Sequence, residues 1–484
     1  MKKVDLKRAF WRVVNAGTLL TAIGLSSVQA QESREWGGFA RRSPAARPQA
    51  QQAARDDDDD DADDDILQVL EEDMSTQSPG TAPPESAEPT PPANDKEAAP
   101  EEPPQPWTLT NLFDNKDGSN PFKDTGVKIS GHSQWGYVSA PDGAFTGNGN
   151  SLNEKQWGQF GLQQQYHFIE KIADGSKGWG WGFRIDGMYG LQGFDGQSFG
   201  NINPGHWDFA NGFDHNPYQF ALPQMYGELA YDKLSVKMGH FYTIVGYEVV
   251  PSTAQFFVTR QLTFWNSEPF THTGALATYK VTDKFSVLGG WVAGMDTGFY
   301  QFNGGSSFLG GFSWTIDDKT TLAYSMIWGN LGWRGNGAIN SVILSRQWTK
   351  KFSTVHQFDD LATDLNTLTT NPNNPNAFVF TNTPQNYNQL GGVPRQSVGF
   401  INYGFYDLTE KIKAGVRGEW YRPDGVSYYT LSWGLNYKPY PNLIFRPEIR
   451  EMWSPNHQIY TGAGGYSGNI YNQTVYAIDM ILTF

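Results

Sequence analysis

The feature that most constrains this chain is a strict alternation of short turns and long loops after residue 126. Seven short polar connections, most containing a lysine, join runs rich in aromatic and β-branched residues. Eight longer stretches rich in Gly, Asn and Pro join the other ends of the same runs. The short connections are residues 170–178, 231–233, 281–284, 316–319, 348–351, 407–411 and 438–442. This alternation is typical of an all-β, up-and-down antiparallel transmembrane barrel with turns at one rim and loops at the other.

The last strand predicts how such a barrel would close. Eight loops and seven turns join about 16 strands, an even number that returns both chain ends to the turn rim. Tyr476, Ile478, Met480, Leu482 and Phe484 form one apolar face at a period of two. An ordinary edge strand of a soluble sandwich is the alternative reading of this segment. We expect the last strand to pair with the first, with its apolar face toward lipid.

Several strands carry charges on one face and apolar residues on the other. In 411–421, 443–450 and 179–191 the charged residues share one face, and the opposite face is apolar or small. A charged side chain facing lipid would cost about 2–4 kcal/mol at the bilayer midplane, so the charged faces should look inward. A barrel of about 16 strands is wide enough to hold water. The predicted pore-lining residues are Arg184, Asp186, Lys413, Arg417, Glu419, Arg446, Glu448 and Arg450.

Composition excludes several other classes of protein. A mean hydropathy of -0.52 argues against a bundle of apolar membrane helices. The absence of cysteine removes disulfides, thiol chemistry and thiolate metal sites. No nucleophile elbow, phosphate-binding glycine loop or zinc helix motif occurs, and basic patches interleaved with aromatics are not evident. We therefore predict no enzyme, no cofactor and no nucleic-acid partner.

One group of metal-binding residue types stands close together in the sequence. His206, Asp208, Asp214 and His215 share a single long loop and could hold a divalent cation. Their irregular spacing favours a plain polar loop, so no metal site is predicted.

The amino-terminal hundred residues differ from the rest. Residues 1–30 carry basic residues, then an apolar run, then small residues around Gln29, the pattern of a cleaved signal peptide. Residues 31–106 contain 20 acidic residues and ten prolines between residues 79 and 106. Such a segment buries too little apolar surface to fold, which predicts a disordered periplasmic extension. Residues 107–484 form the predicted barrel domain.

The stretch 222–299 resembles a known family. It contains GHFYTIVGYE, then a long loop, then PFTHTG opening the next strand. In these motifs it is similar to the putative beta-barrel porin-2 (OmpL-like) family of outer-membrane proteins, and the resemblance covers most of 107–484. It implies an outer-membrane location and a pore, and it supplies no assigned substrate. The acidic extension is not part of the family pattern.

The loop 242–272 is long and unusually apolar for a connection that should face water. By the strand count it is the third outer loop, and we expect it to fold into the barrel as a constriction. Its charged residues are Glu248, Arg260 and Glu268. They would face the wall cations Lys413, Arg417, Arg446 and Arg450, and opposed charges would then select polar solutes. A lid or packing loop without an electrostatic role remains the alternative.

Three functions are consistent with the sequence. The first is a passive channel for small hydrophilic solutes, surrounded by outer-membrane lipid and compatible with a homo-oligomer. The second is a structural or adhesive barrel without an open pore. The third is an outer-membrane hydrolase with its site at the outer rim. Conductance across a planar bilayer separates the first function from the others.

Overall fold

Sixteen antiparallel strands close into a barrel in the computed structural model. The model describes residues 107–139, 160–198, 207–208, 211–215, 218–301, 303–364, 394–454 and 472–484. The predicted signal peptide (1–30) and the acidic extension (31–106) lie outside these residues. Within the described ranges, no helix is both long and apolar enough to cross a membrane.

Each strand pairs with its neighbours in sequence, as expected for an up-and-down barrel. The strands are β1 Val127–Val138, β2 Phe160–Lys171, β3 Trp179–Gly190, β4 Gln219–Tyr231, β5 Leu234–Tyr242, β6 Thr271–Thr282, β7 Phe285–Val292, β8 Ser306–Asp317, β9 Thr320–Asn330, β10 Asn336–Gln347, β11 Phe352–Thr363, β12 Gln396–Thr409, β13 Ile412–Pro423, β14 Tyr428–Tyr440, β15 Leu443–Trp453 and β16 Asn472–Thr483. All seven predicted short turns join consecutive strands at one rim, which confirms the alternation read from the sequence.

A few short helical segments accompany the barrel. Four-residue helices span Pro121–Asp124 and Gly193–Gly196, and a five-residue helix spans Leu262–Asn266. Among the described residues, 3-10 segments span Leu109–Phe113, Ser252–Ala254 and Gly332–Arg334. The helix at Leu262–Asn266 and the 3-10 segment at Ser252–Ala254 belong to the connection between β5 and β6.

The barrel closes where the first and last strands meet. Trp135 lies opposite Met480 and Tyr137 opposite Ile478 in the β1–β16 register. The backbone N–H of Gly131 donates to the carbonyl of Phe484 at 2.7 Å, which ties the carboxy-terminal residue to β1. A Cβ at position 131 would lie 2.2 Å from a backbone oxygen of β2, so this close approach requires glycine. The prediction that the last strand closes the barrel is confirmed.

The outer face is apolar and aromatic. The indole of Trp179 is 79% exposed, and Tyr231, Trp291, Trp328 and Trp348 are also exposed near strand ends. Residues of this type prefer the interface between water and the bilayer. A band of exposed aromatics around a closed barrel is the arrangement expected for a protein that contacts lipid.

The inner face is divided into two chemically different parts. From β6 to β11 it carries a row of buried aliphatic side chains, which we call the apolar wall: Leu276, Val292, Leu309, Ile327, Ile339 and Leu361. On β13, β15 and β16 it carries buried charges, which we call the polar wall: Arg417, Glu419, Arg446, Glu448, Arg450 and Asp479. Met295, Leu331 and Trp333, from the loops after β7 and β9, pack on the apolar wall. The connection between β5 and β6 meets both walls.

Candidate functional site

Loop 3, the connection of residues 243–270 between β5 and β6, runs inside the barrel. Its polar atoms are hydrogen-bonded to inward-facing side chains of β2, β11, β12, β13 and β15. Its apolar residues Phe257, Val258 and Phe264 are buried. Burying each such side chain stabilises the docked loop by about 1.5–3 kcal/mol, which explains why an outer loop carries so many apolar residues.

Arg417 on β13 is the central contact between loop 3 and the polar wall. Its Nη1 donates to Oε1 of Glu248 at 2.6 Å and to the carbonyl of Thr259 at 2.8 Å. Its Nη2 donates to Oγ1 of Thr259 at 2.9 Å and lies 3.5 Å from Oε1 of Glu448. One guanidinium therefore joins both arms of the loop to the wall through charge-assisted bonds.

Two further arginines hold the loop backbone. Nη1 of Arg446 donates to the carbonyls of Ser252 at 3.0 Å and Gln255 at 2.7 Å. Its Nη2 and Nε bind the carboxylate of Asp479 on β16 at 2.5 and 2.9 Å. Nη1 of Arg450 donates to the carbonyl of Arg260 at 2.7 Å. These arginines satisfy backbone carbonyls that an irregular buried segment would otherwise leave without partners.

The wall carboxylates accept the loop's backbone N–H groups. Glu448 accepts from the N–H of Thr259 at 2.8 Å. Glu419 accepts from the N–H groups of Leu262 and Thr263, each at 2.8 Å. Wall arginines therefore donate to the loop's backbone carbonyls, and wall carboxylates accept from its backbone N–H groups. Together these bonds fix the path of the loop.

Glycines on the inner face make room for the loop's side chains. A Cβ at Gly415 on β13 would lie 2.3 Å from Cε1 of Phe256. A Cβ at Gly399 on β12 would lie 2.3 Å from Oγ1 of Thr263. Because these contacts are so close, a larger residue at either position would overpack against the loop's side chains.

The final arm of loop 3, the part that contains Glu268, contacts β11 through carboxyl and amide groups. Nε2 of Gln357 on β11 donates to Oε1 of Glu268 at 2.7 Å. The carboxyl of Asp359, two residues along the same face, lies within hydrogen-bonding reach of the Glu268 carboxyl. Burial raises the pKa of Glu268 well above its ordinary value, and the Asp359 carboxylate adds to this shift.

The three charged residues predicted in the loop contact three different partners. Glu248 contacts Arg417 directly at 2.6 Å. The guanidinium of Arg260 instead donates to the carbonyl of Val250 at 2.8 Å, and burial lowers its pKa. Glu268 faces β11 and none of the predicted wall arginines. Sequence periodicity could not assign these partners, because a loop has no fixed period.

The predicted pore-lining residues fall into two groups. Arg417, Glu419, Arg446, Glu448 and Arg450 point inward, but each is less than 5% exposed because loop 3 covers it. No water-filled gap therefore separates these wall charges from the loop. They contact loop 3 or lie beneath it, and their role in lining a pore stays a prediction.

Residues nearer the turn rim remain accessible. The side chain of Arg184 is 21% exposed and lies 2.7 Å from Glu170 and 2.8 Å from Asp186. The side chain of Lys413 is 27% exposed and lies 3.5 Å from Asp407. Asp186 is itself buried beneath Arg184, Tyr166 and Gln224. Arg184 and Lys413 are therefore the predicted lining residues that still meet solvent.

The sequence reasoning missed several residues that hold the loop. The sequence patterns did not single out Asp359, Gln357, Tyr403 or Asp479. Asp479 was detectable, because it stands opposite the apolar face of the last strand. Gln357 and Tyr403 carry no such signal, since uncharged polar residues occur on either face of a strand.

The candidate metal loop has other hydrogen-bond partners. Asp208 accepts from the backbone N–H groups of Ser198 and Leu222 at 2.9 and 2.7 Å. Asp214 accepts from Asn211 at 3.0 Å. His206 lies outside the described residues. In the part of the chain that the structure describes, no three metal-ligating side chains come together.

Comparisons with solved structures return bacterial porins at low identity. A mutant porin of Rh. blastica has 12% identity and a TM-score of 0.45, covering 74% of this chain and 100% of its own. An anion-selective porin from Comamonas acidovorans has 11% identity and a TM-score of 0.45, covering 74% and 99%. A loop-deletion mutant of OmpT from Vibrio cholerae has 10% identity and a TM-score of 0.42, covering 74% and 99%.

A family model gives the assignment. No curated protein sequence matches the chain. The model described as "Putative beta-barrel porin-2, OmpL-like" matches residues 126–484, from the start of the first strand to the carboxy-terminus. The closed barrel of sixteen strands spans the same residues. The chain therefore belongs to the putative beta-barrel porin-2, OmpL-like family.

Proposed function

We propose that this protein is an outer-membrane porin for passive diffusion of small hydrophilic solutes, narrowed by loop 3. Family membership and the closed barrel support the general function and the outer-membrane location. The single observation that carries the constriction is the hydrogen bonding of loop 3 to the inner wall through Arg417 and Arg446. The signal peptide, the periplasmic position of both ends and a homo-oligomer remain predictions.

Two groups of charges have different roles in this proposal. The buried polar wall holds the loop in one position and so sets the width of the passage. The pairs Arg184–Glu170 and Lys413–Asp407 remain partly exposed, so we propose that they are the charges that solutes and ions meet. Charged rings at such a site set ion preference, since field strength at the pore surface discriminates between solutes.

The test is to remove the anchors of loop 3 while keeping its length. Residues 252–263 are replaced by a Gly-Ser segment of equal length, which eliminates the Thr259 and Phe257 contacts. We expect single-channel conductance in planar bilayers to rise several-fold, because the loop no longer holds its position in the lumen. In liposome swelling, solutes that the natural protein excludes by size should then enter.

A matched control changes only Thr253 and Ala254, the exposed pair in the same loop, to Gly and Ser. Its conductance should stay at the natural value. Folding of each variant is checked by the anomalous gel migration of unboiled barrels. Unchanged conductance in a folded anchor-deletion variant would contradict the constriction.

A second function is favoured by one observation. Arg260, Arg417, Arg446 and Arg450 are each no more than 1% exposed, so the interior is filled where loop 3 meets the polar wall. A barrel closed at this level could serve a structural or adhesive role. Natural protein that leaves bilayers sealed and liposomes unswollen with every solute would support this second function and contradict the first.

A further inference from the structure

Two carboxyl groups face each other where the final arm of loop 3 meets the wall. Glu268 belongs to the loop and Asp359 to β11, and both are buried. Oε1 of Glu268 accepts from Gln357 at 2.7 Å, and Oδ1 of Asp359 accepts from Ser341 at 2.6 Å. The remaining oxygens, Oε2 of Glu268 and Oδ2 of Asp359, have no N–H or O–H donor among the described residues.

The backbone around Glu268 forces this arrangement. Gly246, at the start of the loop, has a positive φ of 89°, and a Cβ there would lie 2.0 Å from Oε2 of Glu268. The carboxyl is thus pressed between the loop's own backbone and the Asp359 side chain. Glu268 is 3% exposed in the docked loop.

No cation neutralises the pair. Among the described residues, no ion pair involves Glu268 or Asp359. The other charges that face the two carboxyls are Glu248 from the loop and Glu419 from β13, which are also acidic. Arg417 neutralises Glu248 but contacts neither member of the pair. Two buried carboxylates without a cation cannot both stay ionised, because like charges in a poorly solvated site repel strongly.

We infer that Glu268 and Asp359 share one proton, that this proton holds the final arm of loop 3 on the wall, and that its loss at high pH releases the loop. The shared proton supplies the one donor that the two facing oxygens lack. When it passes to solvent, two carboxylates oppose each other and the arm separates from β11. The consequence for conductance rests on the proposed porin function, whereas the release of the loop does not.

The direction of the pH dependence follows from linkage. Burial and the Asp359 charge hold the pKa of Glu268 well above its ordinary value in the docked loop. In the released loop the pKa returns to the ordinary range near 4.3. Docking therefore takes up a proton between these two values. It is fully stable below the ordinary pKa and weakens as pH rises through the docked-state pKa.

The chain contains no cysteine, so one engineered thiol can report loop release. Val258, which is 2% exposed, is changed to cysteine in the full-length protein, and maleimide labelling in detergent is followed against pH. The same substitution with Glu268→Gln provides the reference, since it places an identical thiol in a loop that cannot lose the proton. The labelling rate relative to this reference should rise about tenfold from about pH 6 to about pH 10, because loss of the proton weakens docking.

A second variant guards against misfolding of the first. Asp359→Asn removes the opposing charge from the other side and should also flatten the pH dependence. If the labelling rate of Val258→Cys depends on pH in the same way with and without Glu268→Gln or Asp359→Asn, the shared-proton proposal is overturned. Conductance measured on the same proteins separates the two proposals. Loop release without conductance at any pH supports the switch and overturns the channel, whereas conductance with pH-independent labelling does the reverse.

Discussion

The polar wall and the apolar wall line the same barrel but stabilise it in different ways. On the polar wall, Arg417 and Arg446 make directional bonds of 2.5–3.0 Å to loop 3 and to neighbouring carboxylates. On the apolar wall, Leu309 and Ile327 pack against aliphatic neighbours and loop residues such as Met295. The hydrogen bonds of the polar wall specify one path for a loop without regular secondary structure. The packing of the apolar wall adds stability wherever apolar side chains fit together, without requiring one path.

The difference shows how a barrel can hold an irregular loop in its interior. A buried loop carries backbone groups that need partners, and only charged or polar side chains can provide them. Apolar packing cannot satisfy those groups, so it suits the regular strands and the short loops above them. The following three predictions test whether the two walls are independent.

The largest effect is expected from Arg417→Met. It leaves Glu248 and Glu448 buried without their cation, and breaking a buried ion pair costs about 3–5 kcal/mol. We expect loop 3 to leave the wall, so the Val258→Cys thiol should label rapidly at neutral pH. The temperature at which the unboiled barrel loses its anomalous migration should fall.

Lys413→Met serves as the control on the same strand. Its side chain is partly exposed and lies 3.5 Å from Asp407, so its loss should cost no more than about 1 kcal/mol and leave the loop docked. Slow labelling in the Arg417 variant would show that the loop does not depend on this wall.

Leu309→Ala tests the apolar wall alone. Leu309 is fully buried, and removing its side chain should lower the free energy of unfolding by about 2–5 kcal/mol through the cavity left behind. Because it makes no polar contact with loop 3, labelling at Val258→Cys should match the natural background. Chemical unfolding in lipid measures the stability, with Leu435→Ala on the exposed outer face as a milder comparison. Rapid labelling here would mean that the two walls are coupled.

The smallest effect is expected where the loop only fits against backbone. Gly415→Val would place a methyl-bearing Cβ on the ring of Phe256, an overpacking that costs about 1–3 kcal/mol. Phe256→Ala in the same chain should recover much of the loss, which a double-mutant cycle measures.

Gly418 on the same strand faces outward, and a Cβ there would lie 3.9 Å from its nearest neighbour, Cδ1 of Leu431. Gly418→Val should therefore leave loop docking unchanged. If the two valine variants behave alike, the fit between loop and wall has no role in docking.

Much of the barrel was predictable from local pattern. The seven turns and the strand count follow from the alternation of short and long connections, and the pairing of the last strand with the first follows from its apolar face at a period of two. The inward direction of Arg417 and Arg446 followed from the cost of charge in lipid. The apolar wall did not, because strands such as β8 and β9 are apolar or small on both faces and periodicity alone does not say which face looks inward.

The sequence by itself determined the class of fold, the direction of the charged faces and the inward turn of an apolar loop, because each depends on solvent preference over a few neighbouring residues. Only the tertiary structure decided that Arg417 and Arg446 hold loop 3 against the polar wall, and that Glu268 of the loop lies beside Asp359 of β11. These pairings join residues 91 or more positions apart, and an irregular loop offers no period from which to count them. The physical reason is that a buried loop takes whichever partners satisfy its backbone and charges, and these exist only once the barrel has closed.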